Sequence, residues 1–269
     1  MSDPLQVAFR INGERLAVLG WSRAILLQLA HPLVAAGVFD HSGFRASPMA
    51  AVGRLYHTTQ AMLAITFGDE QRHRAAIEGI RRIHTRVHGT LPAAVGPFPA
   101  GTPYSAEDPS LLLWVHATLI ESLVLAYEQL VTPLTPHERD QYTWVSAPLA
   151  IDLGAHDVEV PRSWQELQVY LQRMEESGTI VVGSQARQLA DSLLRTSIPT
   201  VAAPMRWVSG LITAAMLPSR IRQEYGLPWD DSRRRRFERL AVATRALRRV
   251  TPRVLTVFAD ARKQQRQQH

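Results

Sequence analysis

Four of the ten histidines fall between Arg54 and Gly89, in the stretch RLYHTTQAMLAITFGDEQRHRAAIEGIRRIHTRVHG. Imidazole is a borderline metal ligand and an acid/base poised near neutrality, so its grouping is a chemical signal. Arg54, His57 and Thr58 stand three and four residues apart, which on a helix brings them within about 100° of arc. His73, Ile77, Ile80, His84 and His88 follow at helical spacing, which predicts one stripe carrying three histidines and two isoleucines. A single histidine on such a stripe packs as a hydrogen-bonded core residue. Three of them opposed by an arginine, a histidine and a threonine are costly to desolvate without a partner, so a bound species is expected.

The chain has no cysteine, which removes thiolate-ligated haem, iron–sulfur clusters and Cys-based zinc sites. A di-iron carboxylate site needs Glu-x-x-His on two helices, and Glu70-x-x-His73 is the one instance. His84-x-x-x-His88 lacks the intervening glutamate of a zinc-protease motif. Haem asks for one axial histidine on a helix, an apolar slot and a cation for its propionates. The stretch offers all three.

The elements that must position these groups follow from punctuation. Apolar residues at helical spacing predict a helix from Pro48 to Phe67. Gly68 stops it, Asp69 caps the next, and that helix is expected to run to about His88 with Gly89 ending it. Upstream, residues 13 to 39 form the longest apolar stretch, but Arg23, Gln28 and His31 interrupt it and Pro32 divides it. Two buried helices are therefore expected in place of a membrane span. His31, just before Pro32, stands where it either caps the second helix or touches a cofactor. Asp40, His41 and Ser42 end that helix.

Residues 90 to 107, rich in proline and glycine, predict a long loop. Asp108-Pro109 opens a helix to about Val131, in which His116 shares a stripe with Leu112, Leu119, Leu123 and Tyr127. Both a structural and a pocket role are open to His116. Beyond it, Thr135-Pro136-x-Glu138 opens a helix to about Leu153, and Ser163 with Glu166 predicts a capping box. Ile180 to Val182 reads as a short extended piece, followed by a helix from Ser184 to about Thr196. Further helices run from Met205 to Met216 and, split by Pro252, through the arginine-rich end. The expectation is a single all-α domain over residues 1–269, of about ten helices.

The net charge is +6 and the isoelectric point about 10.3, with Lys263 the single lysine. Basic residues concentrate after Arg220, notably Arg233 to Arg236 and Arg245, Arg248, Arg249 and Arg253. No nucleic-acid-binding signature accompanies them, so the expected roles are a solvated helix face or a weak membrane-surface contact. No nucleophile elbow, phosphate loop or dinucleotide fingerprint is present. The N-terminal stretch MSDPLQVAFRINGERLAV lacks signal-peptide features, and a cytoplasmic location is expected.

Several of these pieces together resemble the MpaB-like family, which shares its catalytic domain with rubber oxygenase, the latex clearing protein. They are QLAHPLVAAGVFDHS (Gln28 to Ser42), Arg54-Leu55 with Thr58, Ile83-His84-x-x-Val87-x-Gly89, and Tyr104-x-Ala106-x-Asp108 leading to Trp114-Val115-His116-Ala117. The resemblance covers roughly residues 15 to 250. It implies an all-helical haem b protein whose pocket is enclosed by the helices, acting with dioxygen or peroxide on a hydrophobic small molecule. Oxidative cleavage of an alkene or isoprenoid is the family's reaction.

Arg54 and Thr58 match the family's Arg-x-x-x-Thr motif, and His84 matches the proximal haem ligand, with His88 as its rival one turn on. Where rubber oxygenases carry a lysine before the motif threonine this chain has His57, implying a second axial ligand or a distal acid/base. The relatives' catalytic glutamate has no counterpart in the matched motifs; the nearest acid is Asp40. Two other readings stand beside the oxygenase: a haem-binding sensor, carrier or peroxidase-like protein with bis-His iron, and a metal-free helical protein.

Overall fold

Side-chain caps and prolines open most of the helices, and they explain why the chain divides where it does. A computed structural model describes residues 3–41, 48–195 and 203–267, the side chains of 48–57, 195, 203–206 and 264–267 excepted. Asp3 caps α1 (Pro4–Gly13), and a 3-10 turn over Arg15–Leu19 leads into α2 (Gly20–Leu29). The chain breaks at Pro32 and enters α3 (Pro32–His41), bent by 108° from the preceding segment. Next come α4 (Pro48–Phe67) and α5 (Glu70–His84), then a small antiparallel pair, β1 (His88–Thr90) and β2 (Pro103–Ser105).

Asp108 caps α6 (Pro109–Leu130), with Ser110 N–H donating to its carboxylate at 2.8 Å. A complete capping box of Thr135 and Glu138 opens α7 (Pro136–Leu153). Then follow α8 (Trp164–Glu176), α9 (Ser184–Arg195), α10 (Ala203–Met216), α11 (Ser219–Glu224), α12 (Asp231–Val250), α13 (Arg253–Thr256) and α14 (Ala259–Gln267).

The fold is all-α. Fourteen α-helices among the described residues exceed the expected ten, the surplus lying in short pieces such as α1, α11 and α13. The capping box expected at Ser163 is half realised: Glu166 N–H donates to Ser163 Oγ at 3.2 Å, but the Glu166 carboxylate turns to the Arg162 N–H at 2.7 Å. Ile180 to Val182 stays extended without a strand, because Val181 N–H donates to the Ala30 carbonyl and Val182 N–H to Glu224.

Packing centres on α6, whose Trp114, Ala117, Ile120, Val124 and Tyr127 are buried. This helix is long and apolar enough to cross a membrane, but most of it lies inside the protein. Its closest neighbour is α2: a Cβ added at Gly20 would stand 2.4 Å from the Ser122 carbonyl oxygen. Beside that crossing lies Arg23, only 3% exposed. Its guanidinium donates to Met216 O, Ser122 Oγ and Glu121 Oε2, each at 2.7 Å, which compensates a charge that burial alone would penalise.

The C-terminal helices close over the N-terminal ones. Phe258 N–H donates to the Gly13 carbonyl at 2.9 Å, and Arg248 Nε to the buried Glu14 carboxylate at 2.8 Å. Phe9 of α1 and Leu63 and Phe67 of α4 form one cluster with Val257 and Ala261.

Candidate active site on the α4–α5 hairpin

Two residues, Gly68 and Asp69, join α4 to α5, so the helices run back along one another as an αα-hairpin. Gly68 is required there, because a Cβ would lie 2.3 Å from the Ala64 carbonyl oxygen. Asp69 then caps α5 by accepting from Arg72 N–H at 2.8 Å. At about 1.5 Å per residue, His84 lies about 21 Å from the start of α5, and Arg54 about 20 Å back from the end of α4. The two positions are therefore level across the hairpin, with His57 one turn nearer the hinge.

His73 orients the stripe. Its Nδ1–H donates to the Ile65 carbonyl of α4 at 3.0 Å, and its Nε2 stands 3.7 Å from Asp152 of α7. His84 follows eleven residues later, three turns along, and so returns to the same face, toward α4. Ile77, between them, is buried, and the Nδ1 of His84 is itself buried. Thr58 is exposed. The side chains of Arg54 and His57 lie outside the described residues, as does all of Ser42.

His88 departs from the expected stripe. The helix ends at His84 and not near His88, because Val87 N–H turns back to the His84 carbonyl and the chain pairs with β2, His88 opposite Ser105. His88 is exposed on that strand. The expected loop over residues 90 to 107 thus contains a strand, β2, whose partner β1 begins at His88, the residue read as the end of the helix.

A latch at the end of α3 fixes this turn. His41 Nε2–H donates to the His88 carbonyl at 3.1 Å, and Tyr104 Oη donates to Asp40 Oδ2 at 2.6 Å. Gly89 is the position that admits Tyr104, since a Cβ there would fall 2.5 Å from Tyr104 Oη. Burial first, and then the Asp40 carboxylate, hold the Tyr104 hydroxyl protonated well above its ordinary range. Sequence reasoning had Asp40 and Tyr104 in hand as motif positions; their pairing across 64 residues carried no local signal.

His31 and His116 stand on other elements, at the start of α3 and in α6. His31 caps α3, its Nδ1 accepting from Leu33 N–H at 3.3 Å, with its ring against Phe98. Burial pushes its pKa down to about 4, against a smaller opposing pull from Asp108. His116 is buried in α6 and depressed to about 4 by desolvation, with no hydrogen-bond partner among the described residues.

A small crevice of about 20 Å³ lies between α4 and the Asn12–Trp21 segment, lined by Glu14, Trp21, Thr59, Met62, Leu63 and Phe258 among others. It has room for about one water molecule. By helical position Arg54 and His57 fall on the opposite side of α4 from Thr59, Met62 and Leu63, so this crevice is not the site the histidines define.

Residues 10–246 match the family described as ER-bound oxygenase mpaB/B'/Rubber oxygenase, catalytic domain. The chain belongs to that family. Its match spans both helices of the candidate site and the central helix α6, and makes the protein an oxygenase-type catalytic domain, with dioxygen and a substrate as its partners. The chain is also 26% identical over 246 residues to an uncharacterized protein of Mycobacterium tuberculosis, a match covering 87% of this chain and 89% of that one. The same figures hold for an uncharacterized protein of Mycobacterium bovis. No solved structure gives a significant match.

The residues present are compatible with haem as the group held there. What the hairpin offers is one half-buried imidazole at a helix end, on a stripe with Ile77 and Ile80 and level with an arginine position. That is the donor set of a single axial ligand.

Proposed function

We propose that this oxygenase-family protein is a haem b oxygenase acting on a hydrophobic small molecule, with the α4–α5 hairpin as its cofactor clamp. The reading is carried by membership of an oxygenase family, together with His84 and Arg54 standing at nearly the same number of residues from the turn that joins their helices. Haem would supply the dioxygen and one-electron chemistry that no amino-acid side chain provides.

The chain's own residues supply the rest. His84 would hold the iron, its Nδ1 being enclosed by protein at the end of α5. Arg54 would supply a cation for the group's carboxylates, and Thr58, on the next turn, a hydroxyl near it. His57 would serve as a second ligand or as a proton donor. Pairing of β1 with β2, and the His41 bond to the His88 carbonyl, hold the turn after His84 and so fix where its ring can point. The family resemblance makes an alkene or isoprenoid the preferred substrate.

An absorption spectrum of the purified protein with a pyridine haemochrome assay, beside His84→Ala and His88→Ala, tests the assignment. A Soret band that His84→Ala abolishes, that added imidazole restores, and that His88→Ala leaves in place is the expected result. Loss in His88→Ala alone would move the ligand to β1. No Soret band after haem is added back would overturn the cofactor.

A further inference from the structure

Between Ser232 and Leu255 the chain carries nine arginines and one acid, Glu238. Eight of them, all on α12, divide into two sets by what they touch. Arg233 and Arg234 pair with Asp230 and Asp231, Arg245 donates to the Gln129 carbonyl, and Arg248 holds Glu14. Arg235, Arg236, Arg239 and Arg249 are exposed and have no carboxylate partner among the described residues.

Apolar residues share their side of the helix. Val242 is 59% exposed, Leu247 64% and Val250 77%, and α13 continues with Val254 at 51% and Leu255 at 63%. At 100° per residue, Arg235, Arg236, Arg239, Val242, Ala243, Ala246, Leu247 and Val250 fall within about 140° of arc, while Ala241, Arg245 and Arg248 lie opposite, against the core. One face of α12 is therefore basic in its first half and apolar in its second, with Arg249 at its flank. Water solvates the first half well and the second poorly; a run of exposed valine and leucine beside unpaired cations needs an explanation.

The geometry points to an anionic lipid surface as the partner of this face. Helix α12 lies flat on the bilayer, Val242, Leu247, Val250, Val254 and Leu255 enter the acyl boundary, and Arg235, Arg236, Arg239 and Arg249 meet lipid phosphates. Charge complementarity selects lipid over a second copy of the chain, because this face carries no carboxylate with which a second copy could pair the arginines it would bury. The inference does not depend on haem.

Co-sedimentation of the full-length protein with vesicles tests it. The protein is expected to partition onto vesicles of equal parts phosphatidylglycerol and phosphatidylcholine, weakly onto phosphatidylcholine alone, and less as salt is raised. Each arginine contributes about fivefold at a surface of this kind, so Arg235→Gln, Arg236→Gln and Arg239→Gln together should weaken partitioning about 100-fold. Leu247→Glu with Val250→Glu should weaken it about tenfold or more, with an unchanged circular dichroism spectrum because both positions are exposed. Absence of binding to the anionic vesicles would overturn the proposal, as would binding that survives the glutamate pair. So would a dimer by light scattering that the glutamate pair dissociates while vesicles recruit nothing.

Discussion

Two buried histidines should make this protein acid-labile above the range where carboxylates titrate. His31 and His116 are 5% and 8% exposed, and burial holds each near pKa 4 against an ordinary 6.5. The sign is set by where protons bind. Between pH 6.5 and 4 the unfolded chain protonates both rings and the folded chain neither, so their contribution is complete above pH 6.5 and falls with pH through that window. Applying 1.36 kcal/mol per pH unit to the two titration curves gives a loss of about 2 kcal/mol per histidine on going from pH 7.5 to 5.

Two losses of that size are a large share of the 5–15 kcal/mol typical of a folded domain. The perturbations are His116→Leu, which removes a buried ring with no described hydrogen bond, and His31→Asn, which keeps an acceptor for the cap of α3. Urea unfolding at a series of pH values gives the stability of each variant. Each should lose less than the wild type by about 2 kcal/mol over that interval. A His116→Leu protein with the same pH dependence as the wild type would show that the ring is solvated or paired, and would refute the reasoning.

Two further outcomes follow from the packing. Gly20→Ala should destabilise by about 2 kcal/mol or more, since its Cβ would meet a backbone carbonyl at 2.4 Å and force α2 from α6; an unchanged melting temperature would contradict the closeness of that crossing. Arg248→Met should cost about 3–5 kcal/mol by stranding the 2%-exposed Glu14, and Glu14→Leu added to it should recover most of the loss. A double variant as unstable as the single one would assign the effect to packing and not to charge.

The sequence was most informative where structure is decided within a few residues. Asp69, Asp108 and Thr135 with Glu138 are caps that use backbone N–H groups three or fewer residues away, and Pro32 breaks the apolar stretch where it stands. Asp3-Pro4 carries the same signature as Asp108-Pro109, although no helix was expected there. The histidine stripe was legible through His73 and His84, and the hairpin that makes Arg54 level with His84 follows from a two-residue turn.

The end of α5 was hidden because its competitor is remote. Helical spacing favours continuing to His88, but β2 and the His41 side chain, 17 and 47 residues away, take the backbone groups of that segment. The Glu14–Arg248 and Asp40–Tyr104 pairs are likewise products of tertiary packing between distant segments, which no local pattern encodes.

The cluster of Phe9, Leu63, Phe67, Val257 and Ala261 has a consequence for the order in which the protein matures during synthesis. The helix that carries Arg54 and His57 is braced on one side by α1, made before it, and on the other by residues translated almost 200 positions later. On the ribosome, at about 5–20 residues per second, α4 spends ten seconds or more with half of its brace missing. Any group that the hairpin must grip is therefore expected to be captured late, once Val257 and Ala261 have been made and have docked.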